Sequence, residues 1–253
     1  MSPTVLKVLA GAGFAAIAVA LSLRYRLGHA REIAIAAARA LVQLAVVGAA
    51  IALVFEFPAL AAAFVAVMVA TAGLTAGSRL RGLPGARARA LAAIALPALA
   101  ATGALLAVGA FELTARAAVP TAGILIGGAM AATTLTGRRL LESLHDDTLE
   151  IETRLALGDS ARMALAPAIR RAVHTGLVPV VDQTRSVGLV TLPGTFVGLI
   201  LGGASPEEAA ATQLVVLCAL LAVELAAGLL LAELTQRAVI VPGERVRRID
   251  VDR

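Results

Sequence analysis

Long apolar runs alternate with short charged segments along the whole chain. Seven runs can be marked, roughly at residues 5–23, 33–55, 58–77, 90–110, 118–137, 176–202 and 210–234. Apolar runs of about 18 residues or more read as membrane-crossing helices. As a helix the second run is about 34 Å long, enough to cross a bilayer with some tilt. The pattern predicts an all-α polytopic membrane protein of about seven transmembrane helices, in a single integral domain over residues 1–253. Between the fifth and sixth runs the pattern changes. Residues 138–171 are charged yet keep helical spacing. Leu140, Leu141, Leu144, Leu149, Ile151 and Leu155 fall roughly on one face, and Glu142, Asp146, Asp147, Glu150 and Arg154 on the rest. Gly158 suits a helix end, Asp159 or Ser160 can cap a new helix near Ala161, and Pro167 either kinks that helix or opens a further one. The insert is therefore predicted to be helix, tight turn, helix.

Composition excludes a soluble domain: 59% of residues are hydrophobic and 15% charged. Lys7 interrupts the first run, and Gly28-His29-Ala30 makes a poor cleavage site, so that run reads as a retained span rather than a leader. Cys218 lies in an apolar run, which rules out a disulfide framework and suggests a small core residue. Aromatic residues are scarce and the arginines sit in short loops, so the positive charge does not point to nucleic acid. It points instead to topology. Arg24, Arg26 and Arg31 follow the first run, Arg79, Arg81, Arg87 and Arg89 the third, and Arg237, Arg245, Arg247, Arg248 and Arg253 form the tail. The second and sixth loops carry no base. Basic loops stay in the cytosol, which places the N-terminus outside and the C-terminus inside; the high alanine content and near absence of lysine suggest a GC-rich bacterial genome, and with it a bacterial plasma membrane.

Gly123/Gly127, Gly194/Gly198 and Gly198/Gly202 are small-xxx-small pairs that permit close helix approach, within one subunit or between two. Polar residues inside the runs are expected to face protein or water, since an ionised group at mid-bilayer costs about 2.5–3.5 kcal/mol. Arg39 and Gln43 share a face of the second run, Asp182, Gln183 and Arg185 cluster in the sixth, and Glu224 lies midway along the seventh. They are candidates for a transport pathway or for a static ion pair joining Asp182 or Glu224 to Arg39 or Arg185. Asp182 and Glu224 are the credible deep oxygen ligands for a hard cation. His29, His145 and His174 lie in loops or at a span end. Pro193 with Gly194 is a candidate hinge. Lys7 is the only lysine, so no phosphate-binding loop of the glycine–lysine type exists and no cofactor is expected.

Glu152-Thr-Arg-Leu-Ala-Leu-Gly158 resembles the glutamate-to-glycine coupling motif of ABC transporter permeases, without the alanine pair that often follows the glutamate. The whole chain resembles the FetB-type permeases, a family of iron exporters. The strongest segment is Val187-Gly-Leu-Val-Thr-Leu-Pro-Gly194, followed by Gly198 and by Gly203-Ala-Ser-Pro206. Arg39-Ala-Leu-Val-Gln43-Leu with Gly48, and Pro120 to Arg139, match the family's second and fifth spans in outline. The resemblance implies a non-enzymatic transport subunit that pairs as a homodimer in lipid with a separate ATPase. That ATPase would be gripped through Glu152, Arg154, Leu155, Leu157, Gly158 and Asp159. The family usually has asparagines near Gly128 and Ala131, an asparagine at Asp182 and a glutamine at Leu199. Plant relatives are linked to nucleotide-sugar export, so the resemblance leaves the substrate class open. The competing expectation is an ion-coupled carrier using Asp182 or Glu224; no internal repeat favours it. No Ser/His, paired-Asp or zinc-type constellation inside the runs supports an intramembrane enzyme.

Overall fold

The computed structural model describes residues 2–247; Arg248 and Arg253 of the basic tail lie outside the described residues. Among the described residues the chain is all-α apart from one small hairpin. In order it forms α1 (Pro3–Arg24), α2 (Ala30–Glu56), α3 (Pro58–Arg79), α4 (Ala86–Ala107), α5 (Ala115–Asp146), α6 (Thr148–Ala156), α7 (Ala161–Ser186), α8 (Gly194–Leu201), α9 (Pro206–Val239), β1 (Ile240–Val241) and β2 (Arg245–Val246). Six of these helices, α1 to α5 and α9, are long and apolar enough to cross a membrane. The protein is a multi-pass membrane protein.

Turn chemistry sets several boundaries. Ser2 caps α1 by accepting a hydrogen bond from the Val5 amide, and Pro3 opens the helix where its missing N–H costs nothing. Phe57 separates α2 from α3 in extended conformation (φ −117°, ψ 112°), as the residue before Pro58 must be.

The chain divides into two compact units, residues 1–60 and 61–253. In the first, α1 and α2 pack along an alanine-rich groove lined by Gly11, Ala15, Ala34 and Ala38. In the second, one core cluster joins Val69 and Ala72 of α3, Ile94 of α4, Leu125 of α5, Val180 of α7 and Val223 of α9. A second cluster joins Leu80, Leu140, Ile151, Leu165, Leu231 and Val239. Much of this core is alanine, and small side chains let the helices approach closely, which substitutes for a hydrophobic drive in lipid.

Glycine packing differs from the expected pairs. A Cβ on Gly77 would stand 2.6 Å from Arg87 Cα, and one on Gly73 2.9 Å from Leu91 Cα, so Gly73 and Gly77 seat α3 on α4. Gly128, Gly137, Gly176 and Gly228 are also tightly opposed. Gly127, Gly194 and Gly198 instead face open space within the protomer, and Gly202 meets only carbonyls of α8 itself.

The sixth apolar run, 176–202, is not one continuous helix. α7 begins at Ala161, passes through Pro167 without opening a further helix, and stops at Ser186. The Ser186 carbonyl accepts hydrogen bonds from the amides of Val190 and Thr191 (2.9 and 3.2 Å), and Gly188 takes φ +81°, so the chain turns on itself. Pro193 therefore does not kink a long span. It is the N-cap of the separate eight-residue helix α8, and Gly194 is that helix's first residue. Leu189, 92% exposed, heads an apolar patch with Val190 and Leu192. Cys218 is exposed rather than buried, because the inward stripe of α9 runs through Gln213, Leu217, Leu220 and Glu224.

Candidate functional site

Two arrangements carry chemistry. The first centres on Glu224. It stands about 27 Å along α9, at 1.5 Å per residue, so it lies midway between the helix ends. It is only 7% exposed. Its Oε1 atom lies 2.6 Å from where a Cβ on Gly128 would be, and Leu220 Cδ2 is equally close to that point. The absent side chain at Gly128 thus makes room for the carboxyl between α5 and α9. Among the described residues Glu224 has no hydrogen-bond or ion-pair partner. Burying an unpaired carboxyl in an apolar setting is costly.

Along the same α5–α9 seam lie polar groups that sequence reasoning missed. Thr133, Thr136 and Ser143 of α5 and Thr235 of α9 are fully buried, and their hydroxyls have no partner among the described residues. Thr102 and Thr134, by contrast, donate back to their own helix carbonyls at 2.7 and 2.8 Å. Thr136 is held between Gly176 of α7 and Gly228 of α9. The readable signal was three hydroxyls at heptad-like spacing (133, 136, 143) inside an apolar stretch.

The other polar candidates are placed differently. Arg39 and Gln43 are exposed on α2. Asp182, Gln183 and Arg185 are exposed at the end of α7, where Asp182 and Arg185 approach only to 3.9 Å with side chains 66% and 78% exposed. Among the described residues Arg185 pairs with Asp182 and not with Glu224. Among the described residues no group of three or more His, Cys, Asp or Glu could hold a metal ion. An exposed pair of this kind is worth at most about 1 kcal/mol. Asp182→Asn is therefore expected to leave the melting temperature of the purified protein within a degree or two of the parent; a large fall would make the pair structural.

The second arrangement is the elbow built by α6. Asp147 ends α5 and restarts the helix, which resets the phase of the apolar stripe. Ile151 stays inward, while Leu149, expected on the same face, is 77% exposed. Arg171 ties α7 to this joint through Asp147 at 2.7 Å. α6 ends at Leu157. Gly158 follows at φ +97°, a left-handed conformation that favours glycine, and the Asp159 amide returns to the Arg154 carbonyl at 3.0 Å. Ser160 then caps α7, accepting from the Met163 amide. On the outer surface Arg154 bridges Glu150 and Asp159, both at 3.4 Å. Leu149, Thr153, Arg154, Leu157 and Asp159 line an open groove of about 630 Å³. Glu152 and Leu155 lie toward the tail hairpin, in a small cleft with Val246.

Bundled hydrophobic helices with a buried mid-span carboxyl and a charged elbow define a polytopic all-α membrane protein rather than a membrane-anchored soluble one. The chain belongs to the uncharacterised protein family UPF0014, whose model matches residues 5–240. It is 42% identical over 218 residues to the UPF0014 membrane protein STAR2 of Oryza sativa subsp. japonica, covering 84% of this chain and 75% of that protein. It is 36% identical over 210 residues to the protein ALUMINUM SENSITIVE 3 of Arabidopsis thaliana, covering 79% and 74%. It is 29% identical over 223 residues to the "Probable iron export permease protein FetB" of Escherichia coli, covering 87% and 86%. No solved structure matches.

Proposed function

We propose that the protein is the permease subunit of an ATP-driven transporter that exports a metal ion such as iron, or another polar solute. The observation that carries this reading is the α6 elbow. It presents Leu149 and Leu157, 77% and 82% exposed, beside the Arg154 ion pairs. Exposed leucines rimmed by charge on a short helix between two long ones fit a protein partner. A separate ATPase would grip Glu152, Arg154, Leu155, Leu157, Gly158 and Asp159 and drive the helices on either side. Two permeases about a two-fold axis would frame the pathway, with the bare face of α8 and the Leu189 patch turned to the second protomer or to lipid. The basic loops favour an N-terminus outside and α6 in the cytosol, and the Escherichia coli relative favours a bacterial plasma membrane.

Within the pathway Glu224 is the principal group, with Arg39, Gln43, Asp182, Gln183 and Arg185 as accessory polar positions and Pro193–Gly194 as the pivot between α7 and α8. A carboxylate in a dry site suits a hard cation, and the name of the Escherichia coli relative makes iron the first substrate to try.

Leu157→Asp tests the reading. Its side chain makes little contact within the protomer, so the variant should melt as the parent does. Co-purification of an ATPase partner should fall about tenfold or more, because a carboxylate would be stranded at the interface. Undiminished capture of the ATPase would place the docking site elsewhere. The unpaired Glu224 also favours a second reading, an ion-coupled carrier. Transport into vesicles without nucleotide would select it.

A further inference from the structure

The last turn of α9 and the β1–β2 hairpin reach back to the elbow. Four separate contacts join them to it. The Glu244 carboxylate accepts a hydrogen bond from the Ala161 amide, the first residue of α7, across 83 positions of sequence. Gln236 Nε2 donates to the Arg162 carbonyl at 3.3 Å. Arg162 pairs with Glu233 at 2.7 Å, and the same carboxylate holds Arg237 at 2.9 Å. Finally, Val246 of β2 packs with Leu144, Ile151 and Leu155 at the base of α6. The hairpin is short, with Ile240 opposite Val246 and one further bond from the Arg247 amide to the Val239 carbonyl at 2.8 Å.

The backbone at Glu244 singles out this residue. It sits at φ +53°, in the left-handed region, next to Gly243 at φ +87°. A glycine would meet that turn geometry more easily than a glutamate. A strained position kept by a residue whose side chain makes a long-range bond indicates that the bond is what the position is for. The contact itself is favourable. An anionic oxygen meets an orphan amide at a helix N-terminus, while Ser160 satisfies the amide two residues further on.

We propose that the C-terminal hairpin is a clamp that makes the α6 elbow and α9 move as one body, with Glu244 as its positioning residue. The consequence rests on the docking reading of α6. A displacement applied at α6 would then reach Glu224 directly through α9, rather than only through the loop-connected α5 and α7. Without the clamp the elbow's polar ties to the α9 end would be only those at Arg162, through its ion pair with Glu233 and the bond from Gln236 to its carbonyl.

The test needs no ATPase, so it succeeds or fails separately from the docking reading. Spin labels are placed on Leu149→Cys, at an exposed site of α6, and on the native Cys218, exposed on α9. Their distance distribution is measured in the full-length protein in nanodiscs. The parent and Glu244→Gln, which keeps an acceptor oxygen, should give one narrow distribution. Glu244→Ala and Glu244→Gly should both broaden it, although glycine eases the turn and so preserves folding. Amide exchange in the first turn of α7 should rise about tenfold in the same two variants, the loss expected for one charge-assisted bond, with α4 unchanged. A broad distribution in the parent would overturn the clamp. So would a distribution in Glu244→Gly as narrow as the parent's.

Discussion

Glu224→Leu should melt no lower than the parent and transport on the order of tenfold less or worse, the effect of losing one charge-assisted contact. Both arms follow from the same geometry. The carboxyl lies between α5 and α9, 7% exposed and with no partner among the described residues. Within the fold it contributes a penalty and no compensating bond, so an apolar side chain of similar size removes a cost of about 2.5–3.5 kcal/mol. Leucine also suits the immediate wall, which is Leu220 and the bare backbone of Gly128. The loss of transport is what the proposed pathway role of Glu224 requires. Glu224→Gln refines the point: it keeps shape and polarity but not charge, so a cation substrate should distinguish it from the parent while a neutral solute should not. Thermal melting in detergent and uptake into proteoliposomes measure the two arms. Parental transport in Glu224→Leu would remove this residue from the pathway, and a collapsed melting curve would make it structural.

Gly77→Ala is expected to destabilise the protein by about 1–3 kcal/mol through overpacking, and Gly77→Leu to abolish folded protein. The added Cβ would lie 2.6 Å from Arg87 Cα. The obstacle is backbone, so no rotamer change relieves it, and α4 would have to move as a unit. Gly73 repeats the contact one turn earlier against Leu91, which is why the seam cannot pivot away. Gly127→Ala is the control. Nothing lies within 4 Å of its missing side chain, and the variant should melt with the parent. Equal melting of Gly77→Ala and Gly127→Ala would mean that α3 and α4 are not seated as described.

The elements legible in the sequence were those fixed by local chemistry. Apolar length located α1 to α5 and α9; Pro58 and Gly158 located turns. What stayed hidden depended on which face of a helix meets a neighbour. Spacing picks out Gly194, Gly198 and Gly202 as readily as Gly73 and Gly77, yet only the α3 pair is packed within the protomer. Apolarity runs unbroken through residues 187–193, so hydropathy cannot see the break between α7 and α8 that Gly188 and Pro193 impose. Leu149 was misplaced because one residue, Asp147, restarts the helix and rotates everything after it. In the site, Glu224 was visible as a charge in an apolar run, but its lack of a partner was not. The buried hydroxyls of Thr136 and Thr235 were passed over because threonine in a membrane helix usually bonds to its own turn.

α5 and α9 contain 32 and 34 residues. As helices they measure about 48 and 51 Å, against roughly 40–45 Å for a whole bilayer with its headgroups. Standing upright, both rods are longer than that thickness; a tilt of about 20°, common for membrane helices, brings α5 down to about 45 Å. Tilt therefore decides how far the joint at Asp147 reaches beyond the headgroups. Thickening the surrounding bilayer, which favours an upright α5, should leave that joint nearest the lipid surface.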